Sequence, residues 1–101
     1  MVLEIARIDI TTGSEDAFEA AVTAALPLFH AAKGCRSVEL RRGVERPSHF
    51  VLMIEWDTLE DHATGFTQSD AFQKWRELVG PHFAGRPEME HVGENVLAKA
   101  I

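Results

Sequence analysis

EWDTLEDHATGFTQSDAFQKW, residues Glu55–Trp75, holds a strand end, a helix start, an interruption and a second helix start in one run. Thr58 with Asp61 three residues later is a capping-box pattern, so a helix opens just after Trp56. His62 and Phe66 are four apart and share one helix face. If Phe66 packs on the sheet, His62 points inward with it. Gly65 interrupts the helix, Ser69 recaps it, and Phe72, Trp75 and Val79 form the buried stripe of the second segment. An inward histidine over an apolar sheet is a candidate proton-transfer group in a small-molecule pocket. The competing reading is a packed histidine whose nitrogens find backbone partners.

Working outward, His49–Trp56 reads as a strand, as does Arg36–Arg42, the two joined by the turn Gly43 to Ser48. Val2–Thr11 is a first strand ending at Thr-Thr-Gly. Ser14 is placed to cap the helix that follows, and Glu15 and Asp16 suit its positive end. Phe18, Val22, Ala25 and Phe29 recur at helical spacing, with Pro27 expected to kink the helix or to begin a second short one. Gly34 ends the segment. Gly80-Pro81 stops the second helix, Gly85-Arg86-Pro87 turns the chain, and Glu88–Leu97 is a final strand. The order β-α-β-β-α-β is the ferredoxin-like α+β arrangement, a four-stranded antiparallel sheet with two helices on one face. The whole chain, 1–101, reads as one domain.

Both sheet faces carry apolar residues. Ile8, Ile10, Val51 and Met53 have no helix assigned to cover them, so the open face is expected to meet a second copy in a homodimer.

Hydrophobic content is 46%, charged content 26% and formal net charge −6. This is a globular composition, and it argues against nucleic acid or an anionic membrane as partner, since phosphate binding needs a basic patch. Arg36, Arg41, Arg42 and Arg46 are interleaved with Glu39 and Glu45 and read as a solvated surface. One cysteine, Cys35, rules out an intrachain disulfide. No apolar run has membrane-span length and no leader pattern opens the chain, so a cytoplasmic location is expected. There is no His-Glu-x-x-His, no cysteine–histidine cluster and no phosphate-binding glycine loop, so no metal site is expected.

The order and spacing of Glu55-Trp56, Leu59-Glu60-Asp61-His62, Ser69 to Trp75 and Pro87-Glu88-Met89-Glu90-His91 resemble the antibiotic biosynthesis monooxygenase family of the dimeric α/β-barrel superfamily. The resemblance spans nearly the whole chain. It implies a homodimer with sheets face to face and a pocket between sheet and helices in each protomer. Relatives of this kind include cofactor-independent oxygenases of phenols and anthrones, and haem-degrading enzymes. The haem branch uses an asparagine, a tryptophan and a ligating histidine where this chain has Arg7, Phe66 and Arg76, and an arginine is no iron ligand. No haem, flavin or metal cofactor is therefore expected. The oxygenase branch uses tyrosine, tryptophan, asparagine and arginine, whereas this chain has no tyrosine at all and its only asparagine is Asn95.

On the oxygenase reading His62 is the general base, acting on a small aromatic or polyketide-like substrate. Leu52, Ile54, Phe66 and Phe72 supply apolar walls, Trp56 a donor, Arg76 a cation, and His82 the pocket mouth. Two alternatives use the same pocket: a non-catalytic dimeric protein binding a hydrophobic metabolite, or an acid–base isomerase or cyclase.

Overall fold

A computed structural model describes residues 1–97. Four strands form one antiparallel sheet: β1 Val2–Asp9, β2 Cys35–Arg42, β3 His49–Trp56 and β4 Glu88–Val92, in the order β2-β3-β1-β4. Helices α1 (Glu15–His30) and α2 (Asp70–Val79) come from the two crossovers. This is the ferredoxin-like arrangement expected from the sequence.

Registry decides which residues look inward. Val2, Glu4, Ala6 and Ile8 pair with Trp56, Ile54, Leu52 and Phe50, and Glu4 and Ala6 also pair with His91 and Met89. Alternation puts this whole set on one face. Ala6, Ile8, Phe50, Leu52, Ile54 and Trp56 there pack with Phe18, Val22, Ala25 and Phe29 of α1 and with Trp75 and Val79 of α2. Ile8 and Ile10 are thus core residues, each 2% exposed, and the expectation that they face outward is corrected. The apolar set on the open face is Leu3, Ile5, Val51 and Met53, with Val92 beside Leu3.

Other expectations shift locally. Helix α1 runs unbroken through Pro27. Proline lacks the N–H that would bond the Thr23 carbonyl one turn back, yet Phe29 beyond it keeps its place on the buried stripe. Ser14 occupies the N-cap position of α1 without a side-chain bond; Glu15 instead reaches back to accept from the Gly13 N–H, at 2.9 Å. The first strand ends at Asp9, with Ile10 making a single bridge to Phe83, and β4 ends at Val92, well short of Leu97. Gly34 has φ +82°, and a Cβ there would strike the Asp61 carboxyl, so the turn into β2 needs glycine to lie against the segment carrying His62.

Candidate active site

The chain after β3 does not enter an ordinary α-helix. Asp61–Phe66 is a π-helical turn, and at the entry to it Thr58 Oγ1 accepts from the Asp61 N–H at 3.1 Å. Its wider spacing appears in the Thr67 N–H, which donates to the His62 carbonyl five residues back, at 3.1 Å. Thr67 and Ser69 hydroxyls donate to the carbonyls of Ala63 and Phe66, each at 2.6 Å. Ser69 then caps α2 by accepting from the Phe72 N–H. Such turns concentrate at functional sites because they re-aim side chains. Here the turn points both His62 and Phe66 at the sheet.

His62 is 3% exposed and lies over β1. Its Nε2 is 3.2 Å from Glu4 Oε1, and its Nδ1 is 2.8 Å from His91 Nε2. Trp56 Nε1–H donates to the same Glu4 oxygen at 3.0 Å, and the indole stacks on the His62 ring, centroids 5.3 Å apart. Two hydrogen-bonded pairs, Trp56–Glu4 and His62–His91, therefore meet at the 3.2 Å contact between Glu4 and His62, joining β1, β3, the π turn and β4. Glu4 and His62 are the only buried polar or charged residues among those described, and no buried side-chain polar atom there lacks a partner.

Burial shifts both titrations toward neutrality. Loss of solvation raises the Glu4 carboxyl from 4.5 to about 7, against the opposing pull of the Trp56 hydrogen bond. Loss of solvation, helped by the nearby His91, lowers His62 from 6.5 to about 4. At neutral pH His62 is uncharged, as its inward placement implies. With a value near 4 it is a weak base by itself. Glu4 is the group whose affinity for a proton matches neutral pH.

Glu4 and His62 form part of the wall of a cavity of about 510 Å³. Leu52, Ala6 and Ile8 make its sheet side, and Phe72, Trp75 and Arg76 of α2 its helix side. Arg86 and Met89, before and within β4, complete it. Arg76 lies over the Phe72 ring at 5.9 Å. Among the described residues neither Arg76 nor Arg86 forms an ion pair, so both guanidinium groups remain open to an anion.

Of the residues singled out from sequence, His62, Leu52, Phe72 and Arg76 meet at this cavity. Four do not reach it. Trp56 is fully buried behind Glu4, and Ile54, 1% exposed, is sealed in the core. Phe66 stacks on Phe29 at 4.9 Å, because the π turn sets it under α1. His82 lies in the short 3₁₀ turn after α2, where its carbonyl accepts from the Thr11 N–H, and the neighbouring Phe83 contributes to the wall in its place.

Sequence reasoning misses Glu4, Arg86, Met89 and His91 as members of the site. Glu4 leaves a signal, since it is the one charged residue in the alternating set Val2, Glu4, Ala6, Ile8, Ile10. Glu4 and His91 meet different ring nitrogens of His62, so the two histidines and the carboxylate do not converge on one point. Among the described residues no group of three or more histidine, cysteine or acidic side chains could hold a metal ion.

Comparison with known proteins agrees with this architecture. The chain is 36% identical over 91 residues to the uncharacterized protein YczJ of Bacillus subtilis, covering 90% of this chain and 96% of that one. A Bordetella bronchiseptica crystal structure, of a protein named for the antibiotic biosynthesis monooxygenases, superposes with a TM-score of 0.92 at 42% identity, covering 94% and 97% of the two chains. SnoaB of Streptomyces nogalater, a cofactor-independent oxygenase, shares the fold with a TM-score of 0.79 at 14% identity, covering 92% and 91%. The sequence profile of the antibiotic biosynthesis monooxygenases matches residues 1–78, and the chain belongs to that family.

Proposed function

We propose that this protein is a cofactor-independent monooxygenase acting on a small aromatic or polyketide-like substrate held between the sheet and α2. The observation that carries the reading is Glu4, a carboxylate 6% exposed in the wall of an apolar cavity, with His62 Nε2 3.2 Å from its Oε1. A buried carboxylate that titrates near 7 is tuned to take a proton from a weakly acidic substrate at neutral pH. Glu4 and His62 act as a pair, the carboxylate taking the proton and the neutral imidazole orienting it. The flat ring lies against Leu52, Phe72 and Trp75, and the anion left by deprotonation pairs with Arg76 or Arg86.

An electron-rich anion of this kind reduces dioxygen directly. Deprotonation of an activated methylene group gives the carbanion, which passes one electron to dioxygen, and the radical pair recombines into a C–O bond. The peroxide then takes back the proton from Glu4 and loses water, leaving a carbonyl. In sum, one methylene group and one dioxygen give one carbonyl group and one water, so no external reductant enters. The second copy expected to cover Leu3, Ile5, Val51, Met53 and Val92 makes the working unit a homodimer.

Oxygen uptake against a panel of anthrones, quinols and flavonoid-type phenols tests the activity. Consumption of one dioxygen per substrate with a carbonyl product supports it. Binding of these compounds without turnover supports the metabolite-binding alternative, and conversion without oxygen uptake the isomerase or cyclase.

A further inference from the structure

We propose that Glu4, His62 and His91 form a three-member proton relay linking the cavity wall to edge strand β4. The inference deepens the proposed function, resting on the same cavity, and concerns how a Glu4 that meets the substrate in its neutral form releases its proton once the substrate shuts it off from water. Glu4 is 6% exposed and His62 3%, so a substrate that fills the cavity leaves neither with a direct path to solvent. His91 is half-buried on β4, which ends the sheet. The three are in series, with 3.2 Å between Glu4 Oε1 and His62 Nε2 and 2.8 Å between His62 Nδ1 and His91 Nε2.

Both directions balance in protons. With Glu4 ionised, His62 carries its proton on Nε2, 3.2 Å from Oε1, and His91 Nε2–H donates to His62 Nδ1. A proton arriving from water at His91 Nδ1 lets the Nε2 proton of His91 move to His62 Nδ1. The Nε2 proton of His62 then moves to Glu4. One proton has entered, Glu4 is neutral, and each imidazole has exchanged one neutral tautomer for the other. Running backwards, the same steps release one proton to water. No ring has to rotate, and His62 holds no extra charge at either end state. That suits a ring whose burial disfavours the imidazolium. Trp56 Nε1–H holds Glu4 Oε1 in place in both states.

Few other groups bear on this line. Arg76 from α2 and Arg86 from the turn before β4 share the cavity with Glu4. Cys35 at the start of β2 is close enough for the Glu4 charge to raise its thiol, burial being the larger cause. The inner face of β3 brings only Phe50, Leu52, Ile54 and Trp56.

The test is a titration of the ligand-free protein, so it stands whether or not an oxidation substrate is found. Histidine ring ¹⁵N spectra report which nitrogen bears the proton, and a ¹³C-carboxyl label follows Glu4. As the pH falls through the Glu4 titration, the His62 proton is expected to move from Nε2 to Nδ1 while the ring stays neutral. In His91→Phe, with the fold confirmed by its amide spectrum, the Nδ1–H form has lost its acceptor and the tautomer change should be suppressed. A His62 that keeps its Nε2 proton throughout, or gains both protons in step with Glu4, overturns the relay. So does a tautomer change that persists unaltered in His91→Phe.

Discussion

Replacing Glu4 by Gln keeps the shape and the oxygen that accepts from Trp56 while deleting one titration. The carboxyl moves from 4.5 to about 7 on folding. At 1.36 kcal/mol per unit, ionised Glu4 costs the native state roughly 3 kcal/mol at alkaline pH. The sign follows from proton counts. Between these two values the native state holds more protons on Glu4 than the unfolded chain, so the Glu4 contribution is intact below 4.5 and is lost as pH rises through about 7. His62 works the other way. Its value falls from 6.5 to about 4, so its contribution is intact above 6.5 and is lost as pH falls toward 4. The two slopes nearly cancel in the wild type, giving a flat profile over the weakly acidic range. Glu4→Gln should leave only the His62 slope. Its advantage over wild type should grow by roughly 2–3 kcal/mol between about pH 5 and about pH 8. Urea unfolding followed by far-UV circular dichroism, at one subunit concentration throughout, measures this directly. A difference between the two proteins that is constant across pH would refute the claim that Glu4 is held partly neutral.

Three further outcomes follow from the same geometry. His62→Ala removes a ring stacked on Trp56 and both of its polar contacts, and should cost about 2–4 kcal/mol in unfolding experiments, with His62→Gln recovering part of that stability but not the turnover. Trp56→Phe deletes the hydrogen bond that lowers the Glu4 value, so the carboxyl should titrate above 7 by ¹³C NMR, and an unchanged titration would show that this bond does not set it. Met53→Asp puts a charge at the centre of the open sheet face and should shift a dimer toward monomer in sedimentation, whereas an unaltered assembly would place the interface elsewhere.

The fold is legible because its signals are local and mutually consistent. Strand β3 is bounded at His49 and Trp56 by the turn before it and the Thr58 cap after it. The two apolar stripes name the helix faces. The faces of β1 are harder to assign, because Leu3 and Ile5 on one side and Ala6, Ile8 and Ile10 on the other are both apolar. Only pairing with β3 shows which set the helices cover. The site is half legible for a related reason. His62 can be aimed from its step to Phe66, but Glu4 and His91 meet it only through registry with β1 and β4, across separations no sequence window spans. Trp56 has a rim-like position at a strand end, yet His62 and Phe66 of the π turn pack on its indole and leave it fully buried.

The central claim is that Glu4 takes the substrate proton. It is tested most directly by the pH dependence of kcat/KM for oxygen uptake, compared between wild type and Glu4→Gln on one substrate of the anthrone or quinol class. Wild type should rise along a single titration centred near the Glu4 value of about 7. Glu4→Gln should still bind the substrate, with turnover lower by roughly 10²–10⁴-fold and that titration gone. A Glu4→Gln protein that consumes oxygen at the wild-type rate, with the same pH profile, would contradict the account.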